Sequence, residues 1–189
     1  MSIDLVATLL WWLFLLGWWA AALWVAKATT KAPAGRRLAY FAGFAIGFSL
    51  LFAGNHADAR TSPTLWHAPP ALDLALLAAQ LTALAFAWWA RVHLGKLWSG
   101  MLTLREGHRV VDTGPYALAR HPIYTAFIAG SWFYALIEAK PLPLAGAAIL
   151  TLVMTVKAKE EENFLRRELG ATDYDAYAAR VRMLIPLPR

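Results

Sequence analysis

The sequence predicts an all-α integral membrane protein of about five transmembrane helices. Of its 189 residues, 59% are hydrophobic and only 16% are charged, whereas an average soluble domain is roughly half apolar and about a quarter charged. Ten tryptophans are present, and several stand near the ends of apolar runs, where aromatic rings settle at the membrane–water interface. The apolar residues are also gathered into long runs, which is typical of helices that cross a bilayer.

Five apolar stretches are the predicted spans: residues 5–26, 38–53, 71–92, 123–139 and 142–156. A spanning helix needs about 20 residues, so the first and third stretches are long enough, the second is somewhat short and the last two are near the minimum. The last two are joined by Lys140 and Pro141. Because proline starts a helix readily but cannot continue one, this pair predicts a tight helical hairpin.

The basic residues predict how the chain is oriented. Of the 18 lysines and arginines, 16 lie after the first stretch, at the end of the third or between the third and fourth, or after the fifth, and the exceptions are Arg60 and Lys140. Basic residues collect on the cytoplasmic side of a membrane. We therefore expect a multi-pass protein of the cell inner membrane, or of another membrane that faces the cytoplasm, with the N-terminus outside and the C-terminus in the cytoplasm. This arrangement explains the net charge of +6, and no nucleic-acid partner is predicted.

The chain is predicted to form one membrane-embedded domain, residues 1–189. Residues 1–92 would supply the first three helices, and residues 93–189 would carry the chemistry. Gly43 and Gly47 form a Gly-xxx-Gly pair in the second stretch, and such pairs let two helices approach closely. We expect this pair to pack against another helix of the same chain rather than against a second copy.

The sequence excludes several kinds of active site. It contains no cysteine, so a disulfide framework, a thiolate nucleophile and a cysteine metal site are all ruled out. It has neither the Gly-x-Gly loop of a Rossmann-type cofactor site nor a Gly-x-Ser-x-Gly elbow. Its histidines show no metal-ligand spacing, so no metal site is predicted.

Residues 93–122 form the first of two polar segments expected on the cytoplasmic side. Gly114-Pro115 predicts a turn. Pro122 fits the first turn of the fourth helix, because a missing N–H has no effect there. His121 would then cap this helix, and the free N–H groups of a helix N-terminus favour a carboxylate or another electron-rich ligand.

The second polar segment, residues 157–189, begins as a continuation of the fifth helix that Gly170 ends. Within it, Lys157 and Glu161 are four positions apart and therefore share a helix face.

Three consecutive carboxylates, Glu160 to Glu162, stand on this continuation. Beside a membrane they need either solvent or a cationic partner. Spacing alone favours a solvated face, paired loosely with Lys159, Arg166 and Arg167. The alternative is that the carboxylates face a cationic ligand such as a sulfonium or an amine.

The motifs of these two segments occur together in a known family. Residues 114–124 read Gly-Pro-Tyr-Ala-Leu-Ala-Arg-His-Pro-Ile-Tyr and residues 161–170 read Glu-Glu-Asn-Phe-Leu-Arg-Arg-Glu-Leu-Gly, with Tyr174 and Tyr177 beyond them. This pattern resembles the isoprenylcysteine carboxyl methyltransferase family and its phospholipid methyltransferase relatives, which share an Arg-His-Pro-x-Tyr-x-Gly and Glu-Glu signature. The resemblance extends over residues 100–187.

The resemblance implies a helical membrane fold with a cytoplasmic pocket for S-adenosyl-L-methionine that is not of the Rossmann type. It also implies two sets of site residues. The cofactor-binding set is His108, Arg109, Val110, Val111, Tyr116, His121, Pro122, Ile123, Tyr124, Glu161 and Glu162. The catalytic set is Lys157, near the methyl acceptor, and Glu161.

The chain departs from the family pattern at two positions. The glycine of the first motif is Ala126, a small change that a helix accommodates. The arginine expected four residues before the first glutamate is Lys157. Arginine grips a carboxylate with two parallel hydrogen bonds, whereas lysine acts as a point charge. This replacement argues against a prenylcysteine carboxylate as the acceptor and leaves lipid amines and small thiols open.

The implied function is S-adenosylmethionine-dependent methyl transfer to a membrane-associated or lipophilic acceptor: an isoprenylcysteine carboxylate, a lipid amine or a small thiol. The expected partners are a lipophilic small molecule, a lipid or a prenylated substrate, together with membrane lipid; the oligomeric state stays open. One alternative is an NADPH-dependent membrane reductase of sterol or steroid type. The other is a non-catalytic membrane module, which would place ionisable groups inside its spans.

Overall fold

The structure, a computed structural model, describes residues 2–21, 28–31, 34–54, 62–99, 103–105 and 110–186. Most of these residues lie in the α-helices α1 Ile3–Ala21, α2 Ala34–Ala53, α3 Pro70–Leu94, α4 Pro122–Glu138, α5 Pro141–Leu169 and α6 Ala171–Arg180. Short 3-10 helices lie at Gly95–Leu97 and Gly114–Ala117, and two short strands are β1 Ala28–Lys31 and β2 Thr103–Arg105. The all-α class is therefore confirmed.

Four helical segments in the described part of the chain are long and apolar enough to cross a membrane. They are Ile3–Ala21, Gly35–Ala53, Pro70–Leu97 and Pro141–Glu168. The fourth predicted span, α4, has 17 residues, and ten of them are buried. Because α4 packs against α1, α3 and α5, protein rather than lipid covers much of its surface. The chain is a multi-pass membrane protein, as predicted.

Helix ends depart from the predicted stretches where polar residues continue a helix. α2 begins at Ala34, ahead of the predicted residue 38, and α5 continues past residue 156 to Leu169, with Gly170 at its end as predicted. The first stretch was expected to reach residue 26, but residues 22–26 lie outside the described residues. Hydropathy marks the apolar part of a helix, whereas backbone hydrogen bonding decides where the helix stops.

The tight hairpin predicted between α4 and α5 is confirmed. Ala139 ends α4 in the left-handed region with φ 51°, and Pro141 begins α5. Lys140 donates a hydrogen bond of 2.8 Å to the carbonyl of Gly54 and lies 3.2 Å from the carboxylate of Glu138. These contacts tie the hairpin to the end of α2.

The polar segments predicted for the cytoplasmic side lie together at the opposite end of the bundle. β1, which follows α1, pairs antiparallel with β2, which follows α3. Near the end of α3, Arg91 donates a hydrogen bond of 2.7 Å to the carbonyl of Ala21 in α1. Arg36 in α2 lies 3.3 Å from Glu160 in α5. The ribbon was not predicted, because strands of four and three residues carry too little alternation to indicate a strand.

The Gly-xxx-Gly pair of α2 packs within the chain, as predicted. A Cβ added at Gly43 would lie 2.8 Å from Val153, and one at Gly47 would lie 2.7 Å from Leu150. From the α5 side, a Cβ at Gly146 would lie 2.4 Å from the backbone nitrogen of Leu51. The small residues therefore let the backbones of α2 and α5 approach, which places the carboxylates of α5 beside the start of α2.

An aromatic cluster holds α1 against the other helices. Trp11 is fully buried, and its ring centroid lies 5.7 Å from that of Phe14, 5.9 Å from that of Phe48 and 5.9 Å from that of Phe127. Buried Gln80 in α3 donates a hydrogen bond of 2.8 Å to the carbonyl of Ala7. These contacts fix α1 beside α3 and α4, which both contribute to the pocket described next.

Candidate active site

A pocket lies at the polar end of the bundle, between the end of α3, the start of α4, the second half of α5 and α6. Its lining residues are Leu94, Leu97, Trp98, Ser99, Val110, Val111, Tyr116, Arg120, His121, Pro122, Ile123, Tyr124, Glu161, Phe164, Leu165, Tyr174 and Tyr177. Most of these side chains are apolar or aromatic. The pocket is therefore suited to a ligand with flat or apolar groups and a few polar ones.

The start of α4 brings two aromatic side chains to the pocket. Pro122 occupies the first turn and His121 the N-cap position, as predicted, but the His121 side chain does not cap the helix. Its ring instead stacks on Tyr124, with the centroids 5.3 Å apart and the planes 4° from parallel. Its Nε2 lies 3.3 Å from Glu162. The helix N-terminus thus stays without a side-chain cap beside the pocket.

Tyr124 connects a buried lysine with a carboxylate. Its hydroxyl donates a hydrogen bond of 2.5 Å to Glu161 and accepts one from Nζ of Lys157. Nζ lies 3.6 Å from the Glu161 carboxylate and 4.7 Å from the centroid of the Tyr124 ring. Lys157 is 1% exposed and stands behind the pocket wall, whereas Glu161 lines the pocket. The shared helix face predicted for Lys157 and Glu161 is confirmed.

Arg120 forms a second charged cluster with Glu162. Two parallel hydrogen bonds of 2.6 and 3.0 Å join the guanidinium to the carboxylate, and further bonds reach the carbonyls of Ala178 and Val181. Burial lowers the pKa of Arg120, but hydrogen bonding to Glu162 and the charge of that carboxylate outweigh burial and raise it above its ordinary value. The guanidinium therefore remains charged at any physiological pH.

Each of the three consecutive carboxylates of α5 has a partner of its own. Glu160 pairs with Arg36, Glu161 with Lys157, and Glu162 with Arg120. The prediction of a solvated face that pairs loosely with Lys159, Arg166 and Arg167 is therefore wrong. The sequence suggested only partners within the same helix, whereas two of the actual partners come from other parts of the chain.

The 3-10 helix Gly114–Ala117 brings Tyr116 into the pocket wall. Gly114 has a positive φ of 57° and lies so close to His93 that an added Cβ would meet the imidazole ring at 2.7 Å. Nε2 of His93 lies 3.0 Å from the Thr113 hydroxyl. The Tyr177 hydroxyl donates a hydrogen bond of 2.6 Å to the carbonyl of Tyr116. α3 and α6 thus hold this turn in place.

The structure brings most of the expected site residues into this pocket. Those that line it are Val110, Val111, Tyr116, His121, Pro122, Ile123, Tyr124 and Glu161. Glu162 lies beside it, in contact with His121, and Lys157 lies behind it. His108 and Arg109 fall outside the described residues.

Several lining residues were not predicted. Phe164 and Leu165 follow Glu161 at three and four positions, so helical spacing alone places them on its face. Tyr174 and Tyr177 are likewise three apart, and they were noted as part of the motif without a role in the pocket. Trp98 offered no such signal, because only the turn after α3 brings it to the pocket.

The lining residues contain no evident metal centre. Across the described ranges of the chain, no group of three or more histidine, cysteine, aspartate or glutamate side chains could hold a metal ion. The ionisable groups at the pocket instead pair with other side chains of the protein.

A comparison with curated proteins shows a partial similarity. A 95-residue segment is 28% identical to the nickel-cobalt-cadmium resistance protein NccN of Alcaligenes xylosoxydans xylosoxydans. The match covers 49% of this chain and 44% of that protein.

A comparison with protein families identifies the part of the chain that builds the pocket. Residues 75–167 match the model of the isoprenylcysteine carboxyl methyltransferase family. The matched region includes most of α3, all of α4 and the face of α5 that carries Lys157 and Glu161. The part of the chain that builds most of the pocket is therefore similar to this family of methyltransferases.

Proposed function

We propose that this chain is an S-adenosylmethionine-dependent methyltransferase that acts on a lipophilic or membrane-associated acceptor. The observation that carries the proposal is the meeting of two distant motifs in one pocket. Tyr124 of the first motif and Glu161 of the second are joined by a hydrogen bond of 2.5 Å and line the same pocket. The similarity of residues 75–167 to the isoprenylcysteine carboxyl methyltransferase family supports the same activity.

The residues of the pocket fit this cofactor. Aromatic faces and a carboxylate together suit a positively charged ligand, and Glu161 contributes the one carboxylate among the described lining residues. Burial raises the pKa of Tyr174 and of Tyr177, so both phenols stay neutral. When bound, S-adenosylmethionine supplies an electrophilic methyl group on a sulfonium. Val110 and Val111 offer apolar contacts for the rest of the ligand.

The main task of the protein is alignment. Holding two reactants in the reactive geometry can be worth about 7–11 kcal/mol. Lys157 and Tyr124 fix the Glu161 carboxylate from one side, so that its oxygens keep a constant position at the pocket wall. The His121 ring, stacked on Tyr124, limits movement on the other side. Lys157 thus has a positioning role in this proposal, in addition to the role near the acceptor that the resemblance implied.

The charges at the pocket favour an amine or a thiol over a carboxylate as the methyl acceptor. A carboxylate would need a cation that faces it. Within the described part of the chain, Arg120 is engaged by Glu162 and two carbonyls, and Lys157 by Tyr124 and Glu161. An amine or a thiol needs no such cation.

The placement in the membrane follows from the charge distribution. We propose that the pocket lies on the cytoplasmic side, because the polar end of the bundle contains the basic segments. The apolar tail of the acceptor would reach the pocket from the bilayer, between the helices that border it.

The test is a methyl-transfer assay on the purified full-length protein in lipid nanodiscs. S-adenosylmethionine with a labelled methyl group is offered with phosphatidylethanolamine, a lipophilic thiol or a prenylcysteine analogue. We expect label in the amine or the thiol, and at least about a tenfold loss in Glu161→Gln, because that variant removes a charge-assisted hydrogen bond. Transfer to none of the three acceptors, with reduction of a sterol by NADPH instead, would reject the proposal.

A further inference from the structure

α6 forms a small hydrophobic cluster apart from the main core. Tyr174, Tyr177 and Val181 are buried together, with Val110 and Leu165 packed against them, whereas the main cluster is built from α1 to α5. α6 has only ten residues, and isolated helices of this length are marginal in water. Its position therefore depends on its contacts with the rest of the protein. Segments with few buried apolar contacts are also the ones that open locally.

This marginal helix supplies one wall of the pocket. Tyr174 and Tyr177 both line the pocket and are 5% and 4% exposed. The family match ends at residue 167, before α6 begins at Ala171. The pocket is therefore complete only when α6 is docked.

Arg120 makes the densest set of polar contacts to this wall. It donates hydrogen bonds to the carbonyls of Ala178, at 3.0 Å, and Val181, while Glu162 fixes the other edge of the guanidinium. The backbone N–H of Arg120 also donates a bond of 2.9 Å to the carbonyl of Arg182. A single side chain thus joins α5 to the end of α6 at the start of α4.

A glycine stands at the other end of α6. Gly170, between α5 and α6, has φ 98°, and an added Cβ would meet nothing within 4 Å. Glycine adopts this conformation without strain, whereas other residues do not. Arg166 of α5 and Asp175 of α6 form an ion pair of 2.6 Å there, and their side chains are 54% and 47% exposed. Such exposed pairs contribute little to stability.

We propose that Arg120 is a positioning residue that docks α6 as a detachable wall of the pocket, and that this docking sets how long the cofactor is retained. The inference rests on the proposed cofactor role of the pocket. It predicts that cofactor enters and leaves when α6 separates from Arg120 about Gly170. Arg120 then acts on the ligand through Tyr174 and Tyr177.

The first test is the rate at which S-adenosylhomocysteine dissociates from the purified full-length protein. Arg120→Lys keeps the charge beside Glu162 but loses the branched guanidinium group that reaches the α6 carbonyls. Dissociation should therefore be at least about tenfold faster. Glu162→Gln, which loosens the same guanidinium from the other side, should shift the rate in the same direction. The matched control is Arg166→Ala, which removes the exposed pair and should stay within about twofold. Equal rates in Arg120→Lys and the unaltered protein would overturn the proposal.

The second test separates docking from direct contact, since Arg120 also borders the pocket. The chain has no cysteine, so a pair of thiols can be introduced without competing ones. Asp112, in the segment before the 3-10 helix Gly114–Ala117, and Arg180 in α6 form an exposed ion pair, with a guanidinium nitrogen 3.1 Å from a carboxylate oxygen. Asp112→Cys with Arg180→Cys, joined by a short bismaleimide, should hold α6 in place without Arg120. We expect the linked Arg120→Lys protein to release S-adenosylhomocysteine as slowly as the linked protein with Arg120. Fast release despite the link would overturn the proposal.

A third measurement needs no ligand. Hydrogen exchange of residues 171–186 should be faster in Arg120→Lys than in the unaltered protein, with no change in α1 to α4. Unchanged exchange in residues 171–186 would overturn the docking role. If the unaltered protein binds no S-adenosylhomocysteine, the proposed function fails, and the exchange measurement still decides whether Arg120 docks α6.

Discussion

The phenol of Tyr124 donates a hydrogen bond of 2.5 Å to the carboxylate of Glu161, across 37 positions of the chain. This bond joins the first turn of α4 to the polar half of α5. Lys157, one helical turn before Glu161, reaches the same phenol from behind the pocket wall. The carboxylate is therefore held in a fixed position and remains within reach of a ligand.

Replacing this carboxylate should weaken cofactor binding. Glu161→Gln keeps the shape of the side chain but removes its charge, and losing a charge-assisted hydrogen bond costs about 1.5–3 kcal/mol, or roughly ten- to a hundredfold in affinity. Calorimetry with S-adenosylhomocysteine measures the change. The matched control is Glu160→Gln. The Glu160 carboxylate pairs with Arg36 instead, so this variant should leave the affinity within about twofold. Equal affinities in both variants would show that Glu161 does not contact the cofactor.

The acceptor class is tested at Lys157, where the chain departs from the family pattern that it resembles. If the acceptor were a carboxylate, Lys157→Arg would supply bidentate recognition and raise turnover on prenylcysteine analogues. Because Lys157 is 1% exposed and engaged by Tyr124 and Glu161, we expect no such gain.

The measurement for Lys157→Arg is the ratio of turnover on a prenylcysteine analogue to turnover on phosphatidylethanolamine and on a lipophilic thiol. Lys159→Arg, at an exposed position of the same helix, controls for the effect of adding a guanidinium group away from the pocket. A ratio that moves toward prenylcysteine only in Lys157→Arg would refute the preference for an amine or a thiol.

The contact between α2 and α5 should be sensitive to a single methyl group. In Gly146→Ala the new Cβ would lie 2.4 Å from the backbone nitrogen of Leu51, and overpacking of this kind costs about 1–3 kcal/mol. We expect a lower thermal unfolding midpoint in detergent. Gly35→Ala is the matched control, since its Cβ would meet nothing within 4 Å. Similar midpoints for the two variants would mean that α2 and α5 are less closely packed than described.

The membrane orientation is testable with reporter fusions. The grouping of basic residues at one end of the bundle predicts a cytoplasmic signal after residues 32, 105 and 189 and an external signal after residue 62. A matched set of fusions to alkaline phosphatase and to green fluorescent protein reports on both sides of the membrane. An external signal after residue 105 would place the pocket on the wrong side for the proposal.

The sequence predicts this fold well where a pattern is long and local. Runs of apolar residues locate α1 to α3 and α5, and the pair Lys140-Pro141 locates the hairpin before α5. The short ribbon of β1 and β2 could not be predicted, because pairing of so few residues is decided by the helices that bring them together.

For the candidate site, motifs place Tyr124 and Glu161 in one pocket, but spacing within α5 suggests the wrong partners for its carboxylates. Arg36 and Arg120 reach them from other segments, and no local pattern encodes such contacts. Trp98 joins the pocket for the same reason, through the turn after α3.

The most direct test of the central claim is a comparison of two cofactors. Titration calorimetry on the purified protein in nanodiscs would measure the binding of S-adenosylhomocysteine and of NADPH, with Glu161→Gln as the control for the pocket. The pocket pairs the Glu161 carboxylate with aromatic faces, and Arg120 and Lys157 are both engaged by carboxylates. We therefore predict a dissociation constant for S-adenosylhomocysteine on the order of micromolar, or about −8 kcal/mol, and much weaker binding of NADPH. Tight binding of NADPH with no measurable binding of S-adenosylhomocysteine would contradict the account and identify the chain as a membrane reductase.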